Sequence, residues 1–186
     1  IRAFGDPVLR KKGKEISKDH PELKTFIANM FETMEDANGI GLAAPQVGLD
    51  LRLFVVDLSP LSDDEDYVEI AEELKKFRKV LINPTILEET GELWKFNEGC
   101  LSIPEIREDV ARHETITIEY FDENFKKHTE TISDMRARVI QHEYDHIEGV
   151  LFTDHLSSLK KKMIKGKLVK ISQGEVNVNY KMRFPK

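Results

Sequence analysis

His142 and His146 stand four residues apart, with Glu143 beside the first, in the run His142-Glu143-Tyr144-Asp145-His146. Residues four apart on an α-helix share a face, so two imidazoles at this spacing can close on one metal ion. Glu143 lies about 100° around the helix from His142, next to the ligands and clear of the coordination positions. A carboxylate there can reach water activated at the metal and take its proton, which is the chemistry of a metal hydrolase. Such sites hold three protein ligands and keep one position open. The longer pattern HExxHxxGxxH would place the third ligand downstream, and here it fails. Gly149 falls at the glycine position, but Phe152 stands where the last histidine belongs, and His155 comes three residues later. The soft candidate elsewhere is Cys100, in Glu98-Gly99-Cys100-Leu101-Ser102-Ile103-Pro104. Spacing alone does not bring it to the histidines, and a lone thiol is commonly just a small buried hydrophobe.

These residues need elements to position them. Met135, Val139, His142 and His146 are spaced by 4, 3 and 4, so the histidines continue the apolar stripe of one helix. Ser133 or Asp134 can cap it, and Gly149 can stop it after Glu148. A first helix is expected over 21–37, where Leu23, Phe26, Ile27, Met30, Phe31 and Met34 recur at helical spacing before Asn38-Gly39. A small-residue loop from Gly39 to Gly48 follows, then a strand over 51–58. Further strands are expected over 80–88, 115–121 and 127–132, the last two joined by a turn at Asp122-Glu123-Asn124. A lysine-rich helix over 157–170 and a closing strand at Val176, Val178 and Tyr180 complete the reading. It is an α+β domain spanning 1–186, with mostly antiparallel strands around a central helix. Between 59 and 79 the composition changes: Asp63, Asp64, Glu65, Asp66, Glu69, Glu72 and Glu73 mark an acidic surface insertion.

Bulk properties narrow the function. At 186 residues and 40% hydrophobic, the chain can enclose a core. Its net charge of −6 argues against non-specific nucleic-acid binding, which basic surface drives. No apolar run reaches the roughly 20 residues of a membrane span, and no leader pattern precedes the fold, although the chain opens on Ile1. With a single cysteine, these features set the expectation of a reducing cytoplasm.

Three separated segments together resemble the peptide deformylase family: Gly39-Ile40-Gly41-Leu42-Ala43-Ala44-Pro45-Gln46, Glu98-Gly99-Cys100-Leu101-Ser102, and Gln141-His142-Glu143-Tyr144-Asp145-His146. They occur in the family's order, and the likeness extends from Asp6–Lys11 to the helix after His155. The acidic insertion is not part of the shared pattern. The resemblance implies that Cys100, His142 and His146 bind a metal and that Glu143 is the general acid/base. It also implies that the Gln46 amide and the Leu101 backbone N–H donate to the formyl oxygen as it becomes an oxyanion. Ile40, Gly41 and Gly99 would pair with the substrate main chain like an added strand. The implied metal is iron(II), and a Cys/His/His set also accepts zinc, nickel or cobalt.

The implied reaction is hydrolysis of N-formylmethionyl peptides to formate and a free amino terminus. Phe96, Met135 and Val139 are candidates for an apolar methionine pocket, with ordinary core packing as the alternative for each. A zinc endopeptidase is the nearest rival, opposed by the missing downstream ligand and by Cys100. A non-catalytic metal-binding or ribosome-associated protein is the rival from another class, opposed by the presence of both Glu143 and Gln46. Lys160, Lys161, Lys162, Lys165, Lys167 and Lys170 could touch ribosomal RNA transiently, but they read first as the solvated face of a helix.

Overall fold

The computed structural model describes residues 1–185. The first expected helix forms as α1 (Leu23–Asp36), burying Leu23, Ile27, Met30 and Met34 on one face. Asn38 adopts a left-handed backbone (φ 54°) just beyond it and, with Gly39, turns the chain away. Two short strands follow, β1 (Gly41–Ala43) and β2 (Leu53–Asp57), both wholly buried. After the acidic segment and its short helix α2 (Ala71–Lys75) come β3 (Arg78–Cys100), β4 (Ile103–Phe121) and β5 (Lys127–Ser133). The strands form one antiparallel sheet in the order β1-β2-β3-β4-β5.

The α+β class thus matches the sequence reading. Strand β2 shows why the sheet is buried on both faces there. Phe54 and Val56 join a core with Met135, Val139 and Ile140, while Leu53 and Val55 face a second core with Ile27, Met30 and Met34. Alternate residues of a strand point to opposite faces, so one five-residue strand is packed from both sides. The helix bearing the two histidines, α3 (Asp134–Ile147), is the element on the first side, and α1 is the element on the second. Ser133 is the N-cap of α3 without a side-chain capping bond, and in the first turn the Asp134 carboxylate accepts from the Arg136 N–H at 2.9 Å. At the far end Gly149 takes φ 74°, and a Cβ there would lie 2.7 Å from the Arg10 carbonyl oxygen. Only glycine suits both demands. A last helix, α4 (Ser158–Ser172), starts at Ser157, whose hydroxyl accepts from Lys160 N–H.

Three expectations are corrected. The strand read over 80–88 is the start of a 23-residue strand that runs on to Cys100. Residues 88–95 of it are mostly exposed, so no alternation of apolar residues announces them. The closing strand at Val176–Tyr180 does not form: residues 175–182 pair with no strand, and a single bridge links Arg2 to Arg183. The alternation there reflects one side of an extended segment lying on the protein surface. Finally, the acidic segment is more than a surface excursion. Its seven acids are exposed, but Leu74 and Phe77 are buried in the same core as Val56 and Leu58. Among the described residues, no helix is long and apolar enough to cross a membrane.

Candidate active site

Helix α3 projects His142 and His146 from one face, their ring centroids 5.2 Å apart. Cys100 reaches them because β3 and β4 join through the tight turn Leu101-Ser102, with Cys100 paired to Ile103. Its Sγ lies 3.2 Å from His146 Nε2, and the three ligand atoms fall within 4.8 Å of one another. Spacing in the sequence left this third donor open, and the hairpin supplies it. Burial alone would push the Cys100 thiol up, but the two imidazoles outweigh it and bring it down to about 5. Burial likewise opposes a charged His142, and its bonds to Cys100 and Glu98 overcome that and raise it well above the ordinary imidazole value.

Glu143 is buried beside this cluster, and its Oε2 has no protein hydrogen-bond partner. Burial raises its carboxyl to about 7, against the pull of His142 and His146. A carboxylate poised near neutrality beside the ligand cluster can both accept and return a proton. Gly41 makes room for it, since a Cβ at Gly41 would sit 2.4 Å from Glu143 Oε1. The Gln46 side chain is aimed by its own backbone neighbourhood: its Oε1 accepts from Ala43 N–H at 2.8 Å. That leaves Nε2 facing Ser102 Oγ at 3.3 Å and Cys100 Sγ at 3.5 Å.

Glu98, to which spacing in the sequence assigns no role, organises the layer behind Cys100 and the two histidines. It is 4% exposed and takes Arg112 Nε at 2.7 Å, Arg112 Nη2 at 3.0 Å and Arg138 Nη1 at 2.9 Å. Its Oε2 also pairs with His142 Nδ1 at 3.0 Å. Although burial opposes ionisation, the bonds from His142 and Arg112 hold the Glu98 carboxyl far below the ordinary range. The carboxylate therefore fixes Nδ1 of His142 as the donor and leaves Nε2 free to coordinate a metal. One signal was available: Arg138 stands one turn before His142 on the same buried face, where an arginine demands a partner.

The residues fit a metal ion. Two imidazoles and a thiolate are the donor set for a borderline-soft divalent cation. Sulfur and nitrogen already stand 3.2 Å apart, close to the roughly 3.5 Å edge of a tetrahedron built at metal–ligand distances of about 2.0–2.3 Å. The orphan oxygen of Glu143 is buried beside the cluster without a protein partner. All of this opens on a cavity of about 830 Å3. Of the residues expected at the site, Ile40, Gly41, Gln46, Gly99, Leu101 and Glu143 line that cavity, as do Cys100 and His142. His146 is buried behind them. Phe96, Met135 and Val139 also line it, making an apolar end. Contributors beyond the expected residues include Tyr67 and Asp64 from the acidic segment and Asn177 and Tyr180 from the C-terminal tail.

A buried HExxH helix, a thiolate brought in by a hairpin and an open cavity beside them define the class of metal-dependent amide hydrolases. Comparison with known proteins narrows this. The model of the polypeptide deformylase family matches residues 1–162. A peptide deformylase of Christiangramia forsetii is 64% identical over 186 residues, covering 100% of this chain and 95% of the relative. One from Flavobacterium johnsoniae is 57% identical, covering 99% and 94%. Among solved structures, Legionella pneumophila peptide deformylase superposes with a TM-score of 0.79 at 38% identity, over 94% of this chain and 95% of that one. Arabidopsis thaliana peptide deformylase 1B, solved with an inhibitor, gives 0.80 at 35% identity, over 94% and 91%. The chain belongs to the polypeptide deformylase family. It is a hydrolase that removes the formyl group from N-formylmethionyl polypeptides.

Proposed function

We propose that Cys100, His142 and His146 hold the catalytic metal of this deformylase, that Glu143 moves the proton, and that iron(II) is the metal used. The convergence of the three donors within 4.8 Å beside a buried, unpartnered carboxylate oxygen carries the reading. When bound, a divalent ion supplies Lewis acidity, polarising a carbonyl and lowering the pKa of water. Glu143 takes a proton from the water whose oxygen adds to the formyl carbon. Gln46 Nε2 and the Leu101 N–H donate to the formyl oxygen as it gains charge, and each such donor is worth about 3–4 kcal/mol. As the carbon–nitrogen bond breaks, Glu143 returns the proton to the leaving amine, giving formate and a free amino terminus. Ile40, Gly41 and Gly99 pair with the substrate backbone, and Phe96, Met135 and Val139 surround the methionine side chain. The chain acts as one catalytic domain around α3 as its central helix, a reading supported by the packing of α3 against β1, β2, β4 and β5. Its place of action is the cytoplasm. The lysines of α4 form a solvated face, and contact with the ribosome is secondary to it.

The test is formate release from a formyl-Met tripeptide by protein loaded with iron or nickel without oxygen. Rapid release by the wild type, lost in Glu143→Ala with metal retained, supports the assignment. An unformylated peptide is the control against endopeptidase activity. Full activity in Glu143→Ala removes that residue from the mechanism.

A further inference from the structure

Tyr180 lies beyond residue 162, where the family match ends, on a tail that returns to the active-site cavity. Its hydroxyl donates to the Leu101 carbonyl oxygen at 2.8 Å. Three residues earlier, Asn177 N–H donates to Glu105 Oε1 at 3.2 Å, tying the tail to the strand that leaves the same turn. Leu101 and Ser102 are the two central residues of the turn between β3 and β4, and Leu101 carries the proposed oxyanion donor.

The carbonyl of Leu101 belongs to the middle peptide of that turn and the Leu101 N–H to the peptide before it, the two meeting at the Leu101 Cα. A hairpin supplies no ladder partner for that carbonyl. Other segments hold the rest of the turn: Ser102 O accepts from Phe4 N–H at 2.8 Å, and Ser102 Oγ faces Gln46 Nε2 at 3.3 Å. The Leu101 carbonyl has Tyr180. Burial pushes that phenol up to about 12, so it remains a donor through neutral pH.

We infer that Tyr180 is a positioning residue for deformylation, its hydroxyl anchoring the Leu101 carbonyl and with it the turn backbone that carries the Leu101 N–H, the proposed oxyanion donor. The inference rests on the deformylase reading of the site. It gives the C-terminal tail a function: the tail closes one wall of the cavity and brings the clamp to the turn.

Tyr180→Phe removes the hydroxyl and keeps the ring. In metal-loaded protein the expected result is a kcat lowered by about 3- to 10-fold, the loss of one neutral hydrogen bond, with KM unchanged. Metal content and melting temperature stay at wild-type values. Amide hydrogen exchange over residues 99–103 speeds up, while exchange in α3 does not change. Wild-type kcat in Tyr180→Phe overturns the inference, as does a rise in KM at constant kcat, which makes the tail a substrate wall alone. Loss of activity that only tracks loss of metal also overturns it. Inactivity of the wild type itself, fully metallated, condemns the deformylase reading instead, and the exchange measurement then still tests the clamp.

Discussion

Gly41→Ala should displace Glu143, the proposed general base, without touching Cys100, His142 or His146, the proposed metal ligands. Gly41 lies in β1, paired with Val56, and its backbone conformation is open to any residue, so the substitution tests space alone. An added Cβ would stand 2.4 Å from Glu143 Oε1, 2.8 Å from Cδ and 2.9 Å from Cγ. Rotating the carboxylate relieves the first contact but not the third, so the side-chain stem must move. Restoring ordinary contact requires a shift of about 1 Å, and a misplacement of that size in a catalytic group costs about 100-fold in rate. Overpacking a buried site also lowers stability, by about 1–3 kcal/mol. The assay is formate release at saturating substrate, with metal content measured on the same sample and folding checked by thermal melting. The expected variant is folded and metallated, with kcat down about 100-fold. A folded, fully metallated Gly41→Ala with wild-type kcat would refute the placement of Glu143 as proton carrier against β1.

Two further changes probe the layers around the site. Glu98→Gln keeps the shape but removes the charge that faces Arg112, Arg138 and His142. It should cost about 3–5 kcal/mol of stability, because buried cations lose their partner. It should also weaken metal binding about 10- to 100-fold by freeing His142. Denaturant unfolding and a competitive metal titration check both, and no change in either would mean that Glu98 is incidental. Asp57 anchors the acidic segment: its Oδ1 accepts from Ser59 N–H at 2.9 Å and Ser59 Oγ at 2.6 Å, and its Oδ2 pairs with Arg78. Burial works against its charge, but the Ser59 and Arg78 bonds prevail and lower its pKa. The stability it contributes is therefore present above the unfolded value of about 3.9 and is lost as pH falls through the lower folded value. Asp57→Asn should be destabilising at pH 7, and the gap from wild type should narrow in acid. A gap that stays constant from neutral to acid pH contradicts this account.

The chemistry was legible where it is local. Two histidines and a glutamate on one helical turn declare their geometry by spacing alone, because the helix repeat is fixed. Helix α1 was legible for the same reason, its buried residues recurring at 23, 27, 30 and 34. The α+β class followed from alternating and helical periods in the right segments. What depends on distant pairing was not legible. The exposed middle of β3 carries no apolar alternation, so its continuation to Cys100 emerged only with the hairpin. The C-terminal alternation looked like a strand, because periodicity records which side is covered and not whether a backbone partner lies alongside.

The sequence by itself determined that one helix carries two histidines and a glutamate at the spacing of a metal site and, through three short motifs, which family the chain belongs to. The tertiary structure decided the rest. A β-hairpin turn places Cys100 3.2 Å from His146, Glu98 gathers two arginines and a histidine from different elements, and the tail brings Tyr180 to the Leu101 carbonyl. Each of these contacts joins residues far apart in the chain. Local periodicity does not encode such contacts; only the register of the folded sheet and the packing of α3 against it set them.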